Sequence, residues 1–401
     1  MANRPDKFPS WATDTNYTSG PDNGTVTKLE PISGALAQGF QRGKRAPAKW
    51  MNWLLGKNAD WLAYLDEQLD SAMSASMLCE QKGTISAIWA SNTTLAWCGH
   101  ANAFATIGSG NTLDFVSGAN ALLNDAVAAP AMSGTVSGWT LVSNGTDKLA
   151  LLRASTTSTA NRFTVWTKSG FDNDLGAWTT PTGIPNGTAL MSAVHVTGAT
   201  FLAFDGTAVY EVAGGTGTAK TAVTEAPQYM ASNGTVTVIC NDAGSTTSMQ
   251  VTANNGASWT TTSPGSHYGP VVWFPRLSKF VMIGTNFSFP RCHHSSDGIT
   301  WSDETATKYH FQAGDYTCNF KSLSVANNGR MLVAVGSGSG TSGPHGDARV
   351  LLYSFDGVNW YAWDFRAGSG LDTPAQVVCG RGQVAVRYAA AGGAIRLFGA
   401  G

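Results

Sequence analysis

Three times in its second half the chain writes the same short turn ahead of a tryptophan. Thr252, Asn254, Gly256, Ser258 and Trp259 follow the form S/T-x-D/N-x-G-x-S/T-W. Ser295, Asp297, Gly298, Thr300 and Trp301 make a version one residue shorter, and Ser354, Asp356, Gly357, Asn359 and Trp360 resemble that shorter version. Lys168 to Trp178, with Asp172, Asp174 and Gly176, reads as an expanded copy. Each residue type has a task in a tight hairpin. The Asp or Asn side chain accepts backbone N–H groups, Gly takes a positive φ, and Trp covers the hairpin. A chain that repeats this turn is committed to many short antiparallel strands.

The stretches between the turns agree. From about residue 84 onward, short apolar runs such as Thr200 to Phe204, Val236 to Cys240, Lys279 to Ile283, Met331 to Val335 and Arg349 to Tyr353 are punctuated by Gly, Asn, Asp and Ser. These are strand and turn signals. The 46 glycines and the 13% charged residues fit an all-β protein with frequent turns. Trp97, Trp139, Trp178, Trp259, Trp301 and Trp360 recur at intervals of roughly 40 residues. One interval is doubled, and one is lengthened by the Gly/Ser-rich stretch Gly336 to Gly346.

The turns resemble the Asp-box (BNR-type) repeat, which sits between the outer strands of propeller blades. The resemblance implies a mainly β fold, with a β-propeller over residues 84–401. Blades parse at roughly 93–130, 134–182, 188–226, 229–264, 268–305 and 318–365. Residues 374–401 supply three more strands, and Ile85 to Ser91 the strand that closes the ring. That makes seven blades, with six as the alternative. Asn120 to Met132, with its alanines, reads as strand, loop or short helix. The turn residues Asn254, Gly256, Trp259, Asp297, Gly298, Trp301, Asp356, Gly357 and Trp360 are structural in this reading and carry no activity.

Ahead of the repeats the grammar changes. Charge is denser in residues 1–83, and residues 1–46 contain Pro5, Pro9, Pro21 and Pro31 with no sustained period. This reads as an extended arm that orders on a partner surface. Pro47 suits the first turn of a helix, and residues 47–83 then read as one amphipathic helix. Leu55, Leu62, Leu65 and Leu69 share one heptad seam, and Trp50, Trp53, Trp61 and Tyr64 an adjoining stripe. The seam serves either packing against the following domain or a short parallel bundle between subunits.

Phe8-Pro9-Ser10-Trp11-Ala12, then Tyr17 and Gly39-Phe40, then Pro47-Ala48-Lys49-Trp50-Met51-Asn52-Trp53-Leu54, appear in an order that resembles the N-terminal segment of tailed-bacteriophage tail-fibre and tail-associated virion proteins. The resemblance covers about the first 75 residues and departs from the family at Ala46, where a doubled proline is usual. It implies a virion protein, assembled in the host bacterial cytoplasm, that docks on other tail proteins through Phe8, Pro9, Trp11, Tyr17, Phe40, Trp50 and Trp53. It also implies a homo-oligomer, with a trimer the usual state, and a distal domain facing host-surface glycan or protein.

The search for chemistry is restrained. Glycosidases need paired carboxylates across a sugar, and the repeat region holds only Glu211, Glu225 and Glu304 beside Asp residues in turn contexts. A structural protein without enzymatic activity is expected, with a glycan-cleaving tail enzyme and an internal tail or collar connector as alternatives. Adjacent histidines in Cys292-His293-His294 would point to opposite faces of a strand, so no metal site is expected, and no cofactor. A net charge of -1 argues against nucleic acid, and no apolar run reaches the length of a membrane span. No signal peptide is visible, and six scattered cysteines without a CxxC pair fit reduced thiols. Loops carrying Tyr268, Phe287, Tyr309, Tyr316 and His345 are the candidates to face a receptor.

Overall fold

The computed structural model describes residues 81–85, 94–107, 112–116, 122–131, 136–155, 163–168, 176–184, 192–242, 247–262, 269–284, 291–303, 308–309, 319–327, 329–339, 349–364, 374–380, 383–388 and 395–399. The chain divides into two compact units, Met1–Ser76 and Met77–Gly401. All described residues belong to the second, which is a seven-bladed β-propeller.

Blade 1 comprises Leu95–Cys98, Ala103–Ile107, Thr112–Val116 and Leu122–Ala128. Blade 2 follows with Val136–Ser143, Lys148–Ser155, Phe163–Thr167 and Ala177–Thr179. Blade 3 is Ser192–Thr197, Thr200–Asp205, Ala208–Ala213 and Thr216–Lys220. Blade 4 is Tyr229–Ser232, Thr237–Asp242, Thr247–Thr252 and Thr260–Thr262, and blade 5 is Val271–Phe274, Lys279–Gly284, Arg291–Ser295 and Ser302–Asp303. Blade 6 contains Asn319–Asn327, Leu332–Ser339, Arg349–Ser354 and Asn359–Asp364, and Lys308–Tyr309 adds a fifth, parallel strand at its outer edge. Blade 7 takes Pro374–Gly380, Gln383–Tyr388 and Ile395–Gly399, and Gln81–Ile85 completes it by pairing antiparallel to Ile395–Gly399. The first strands of successive blades lie side by side, from blade 1 to blade 7 and back to blade 1, which closes the ring.

The strand sequences follow from this stacking. Each blade is covered on both faces by its neighbours, so inner strands are apolar throughout rather than alternating. Thr200–Asp205 is buried over its whole centre, Phe201 to Phe204. The outer strand Thr216–Lys220 is mostly exposed and polar. The core is accordingly divided among blade junctions. Leu95, Phe104 and Val116 of blade 1 meet Ala385, Ile395 and Leu397 of blade 7. Phe274, Val281 and Cys292 of blade 5 meet Leu332, Leu352 and Trp360 of blade 6.

Three sequence expectations change in detail. The closing strand is Gln81–Ile85 rather than Ile85 to Ser91, and the propeller unit starts a few residues ahead of 84. Leu122–Ala128 is a strand, pairing with Thr112–Val116, so blade 1 is complete. The six spaced tryptophans occupy two different places. Trp97 and Trp139 stand on first strands, whereas Trp178, Trp259, Trp301 and Trp360 follow the turn between third and fourth strands.

Candidate functional site

The three recurrent turns share one hydrogen-bond pattern. Asp356 Oδ1 accepts the N–H groups of Val358 at 2.8 Å and Asn359 at 2.7 Å, and Ser354 Oγ accepts that of Gly357 at 2.9 Å. Asp297 Oδ1 does the same for Ile299 and Thr300, with Ser295 Oγ accepting from Gly298. Asn254 Oδ1 accepts from Ser258, and Thr252 Oγ1 from Gly256. Trp301 Nε1 and Trp360 Nε1 donate back to the carbonyls of Gly298 and Gly357. The N–H of Thr300 leads the bonds that hold the Asp297 carboxyl below the ordinary range. Burial alone would raise Asp356, but the bonds from Asn359, Val358 and Ser354 outweigh it and lower its pKa.

Each turn also grips the preceding blade. Trp259 Nε1 donates to the Thr221 carbonyl at 2.9 Å, and the Thr221 N–H donates to the Gly256 carbonyl at 3.0 Å. Asn255 Nδ2 donates to Glu211 of blade 3, which also pairs with Lys220 at 2.6 Å. The Lys220 bond, joined by that of Asn255, holds the Glu211 carboxyl below its usual range. Thr262 Oγ1 donates to the Ile299 carbonyl, linking blades 4 and 5. The turns are latches between blades.

A second repeated turn escaped the sequence reading. Ser143-Asn144-Gly145-Thr146 and Ser232-Asn233-Gly234-Thr235 join first to second strands in blades 2 and 4. Asn144 Oδ1 accepts from Thr146, Asp147 and Lys148, and Asn233 Oδ1 from Thr235 and Val236. The identical tetrapeptide was the available signal.

The first strands enclose a central channel, a cavity of about 630 Å³ lined by residues of all seven blades. Its polar side chains stitch neighbouring blades together. Ser143 Oγ donates to the Trp97 carbonyl, Asn144 Nδ2 to that of Gly198, and Asn327 Nδ2 to that of Trp273. None of the described lining residues is Asp, Glu, Lys or Arg. Burial lowers the pKa of His195 and pushes the Cys379 thiol up to about 12, so both are neutral near pH 7. The described channel wall is uncharged.

Antiparallel blades turn alternately at two ends. The latching turns and the Asn turns share one end. The second-to-third connections and the blade-to-blade linkers share the other. The strands bracketing 263–268, 285–290 and 340–348 place those segments' attachment points at this other end, whereas 310–318 leaves from Tyr309, beside Trp360 near the latching end, and enters Asn319 at the other. Tyr268, Phe287, Tyr316 and His345 themselves lie outside the described residues. Tyr309 belongs to the edge strand Lys308–Tyr309, where it pairs with Trp360. Phe8, Pro9, Trp11, Tyr17, Phe40, Trp50 and Trp53, and Leu55, Leu62, Leu65 and Leu69 of the expected helix, also lie outside them.

Cys292, His293 and His294 are buried in the third strand of blade 5. Cys292 joins the apolar junction with blade 6, and His294 lies beneath Gly357 of that blade. Among the described residues no group of His, Cys, Asp and Glu is placed to hold a metal ion, and no helix is long and apolar enough to cross a membrane. The described cysteines Cys98, Cys240, Cys292 and Cys379 form no disulfide. No protein-family model matches the chain, and no curated protein matches it.

Proposed function

We infer that the protein is a structural component of a bacteriophage tail, part of the fibre or adsorption apparatus. Residues 1–46 dock on the virion, and the propeller faces the host surface. The observation that carries this reading is the order of Phe8-Pro9-Ser10-Trp11-Ala12, Phe40 and Pro47 to Leu54 ahead of a propeller. An arm rich in Trp, Phe and Pro is a suitable docking peptide. The Leu55, Leu62, Leu65 and Leu69 seam assembles the chain as a homo-oligomer, a trimer in this reading. The carboxylates of Glu211, Asp297 and Asp356 are engaged in latches, which suits a binding scaffold better than a catalyst.

Deleting residues 1–46 is expected to leave a soluble, folded propeller that no longer joins particles. Unchanged incorporation would refute the docking assignment. Release of reducing ends from host glycan, abolished by one carboxylate substitution, would make the protein a depolymerase instead. Labelling of whole particles that finds the propeller inaccessible would make it an internal connector.

A further inference from the structure

We propose that Arg387 is the binding group of a carboxylate site at the junction of blades 7 and 1, and that its ligand is the carboxylate of an acidic saccharide. Arg387 lies in the second strand of blade 7, paired with Gln376 of the first strand. Gln376 Nε2 donates to the Leu95 carbonyl of blade 1 at 2.9 Å, which fixes the amide. Arg387 Nε donates to Gln376 Oε1 at 3.4 Å, a long and therefore weak bond. A guanidinium has five N–H donors in a rigid fork. The two terminal nitrogens of Arg387 meet no hydrogen-bonding or acidic partner among the described residues.

Three other described cations of the propeller, Arg153, Lys148 and Lys220, have partners. Arg153 Nη1 donates to the Pro130 carbonyl at 2.6 Å, and its guanidinium lies over the Trp139 ring. Lys148 pairs with Asp147, and Lys220 with Glu211. Arg387 is half-buried without such provision, and desolvation lowers its pKa. An incoming anion would offset that cost.

A second group at the junction lacks a partner. Thr106 stands opposite Leu95 and shares a strand face with Phe104, which packs towards blade 7. Its hydroxyl is fully buried and makes no hydrogen bond. Asp114, opposite Thr106, takes a bond from Thr112 and makes no ion pair with Arg387. Gln376 lies near the start of its strand and Arg387 near the end of the next. Both therefore sit at the end of the ring that carries the blade-to-blade linkers, beside channel-lining Val377.

The charge count selects the ligand. One guanidinium without an ion pair balances one negative charge, and a planar carboxylate matches its fork in bidentate fashion. A phosphate monoester brings about 1.5 to 2 negative charges and would leave part of them unbalanced. The saccharide assignment rests on the host-surface reading above, whereas the carboxylate site does not.

Calorimetric titration of the full chain with glucuronate, acetate, glucose and inorganic phosphate tests the proposal. Glucuronate is expected to bind with a Kd on the order of 1 mM, at least tenfold tighter than glucose and several-fold tighter than acetate. Arg387→Gln should weaken glucuronate at least tenfold with an unchanged melting curve, and Arg387→Lys should fall between. Should Arg387→Gln fail to fold, Gln376→Ala, which releases the fork, should weaken binding several-fold. Equal binding of glucose and glucuronate, or unaltered affinity in the folded variants, overturns the site. Tighter phosphate binding overturns the carboxylate assignment, and acetate equal to glucuronate overturns the saccharide. Particle incorporation is read separately, so failure here leaves virion docking standing.

Discussion

At Gly357 two demands meet. Its φ is 70°, and a Cβ there would lie 2.7 Å from His294 Nε2 of the preceding blade. Gly145 has a similar φ of 79°, yet a Cβ there would meet nothing within 4 Å. The pair separates backbone strain from crowding. Gly145→Ala is expected to lose about 1–2 kcal/mol, the cost of a left-handed residue with a side chain. Gly357→Ala adds overpacking against a buried ring and should lose about 2–4 kcal/mol. Urea unfolding midpoints check both, and equal losses would show that His294 yields freely. Asp356→Ala removes the acceptor of two backbone N–H groups and should lose about 1–3 kcal/mol in the same assay.

The blade junction is the unit in which acid sensitivity belongs. Glu211, Asp297 and Asp356 have folded pKa values below their ordinary ones. The unfolded chain therefore binds more protons than the folded one as pH falls towards the carboxylate range. Their stabilising contribution is present above the ordinary carboxylate pKa values and is lost as pH falls through the folded values. Urea midpoints should decline from pH 6 to pH 3, and Glu211→Gln should flatten part of that decline. A parallel decline in the variant would remove Glu211 from the account. Turns of this kind were legible because Asp, Gly and Trp each announce a local backbone need. Trp97 and Trp139 misled, since an indole on an inner strand carries the same letter as one beside a turn. Lys308–Tyr309 was hidden for another reason, because two residues in parallel pairing carry no periodicity. Arg387 was not legible in the sequence, since its lack of an acid is a property of its neighbours in space.

The ring as a whole depends on a strand from the other side of the sequence. Gln81–Ile85 completes blade 7 through pairs from Gln81 with Phe398 to Ile85 with Ile395. Seven blades could be counted from turn punctuation, but the register of a closing strand lies in a long-range pairing that local sequence does not encode. A chain of residues 77–401 is expected to melt at the same temperature as the propeller of the full chain. A chain of residues 86–401 lacks the strand and exposes the edge of Ile395–Gly399, so it should melt at a lower temperature and aggregate. Size-exclusion chromatography with thermal melting distinguishes them, and identical behaviour would mean that blade 7 holds without its fourth strand.

That arrangement also sets a timetable. Ile85 must wait until Ile395 has left the ribosome, which at ~10 residues per second is about half a minute. Throughout that interval the nascent blades form an open arc with unsatisfied edges at both ends. Neighbouring nascent copies on one message then offer each other the very edges that should meet within one chain. Slow codons between blades would lengthen the exposure, and a chaperone that covers sheet edges would shorten its consequences.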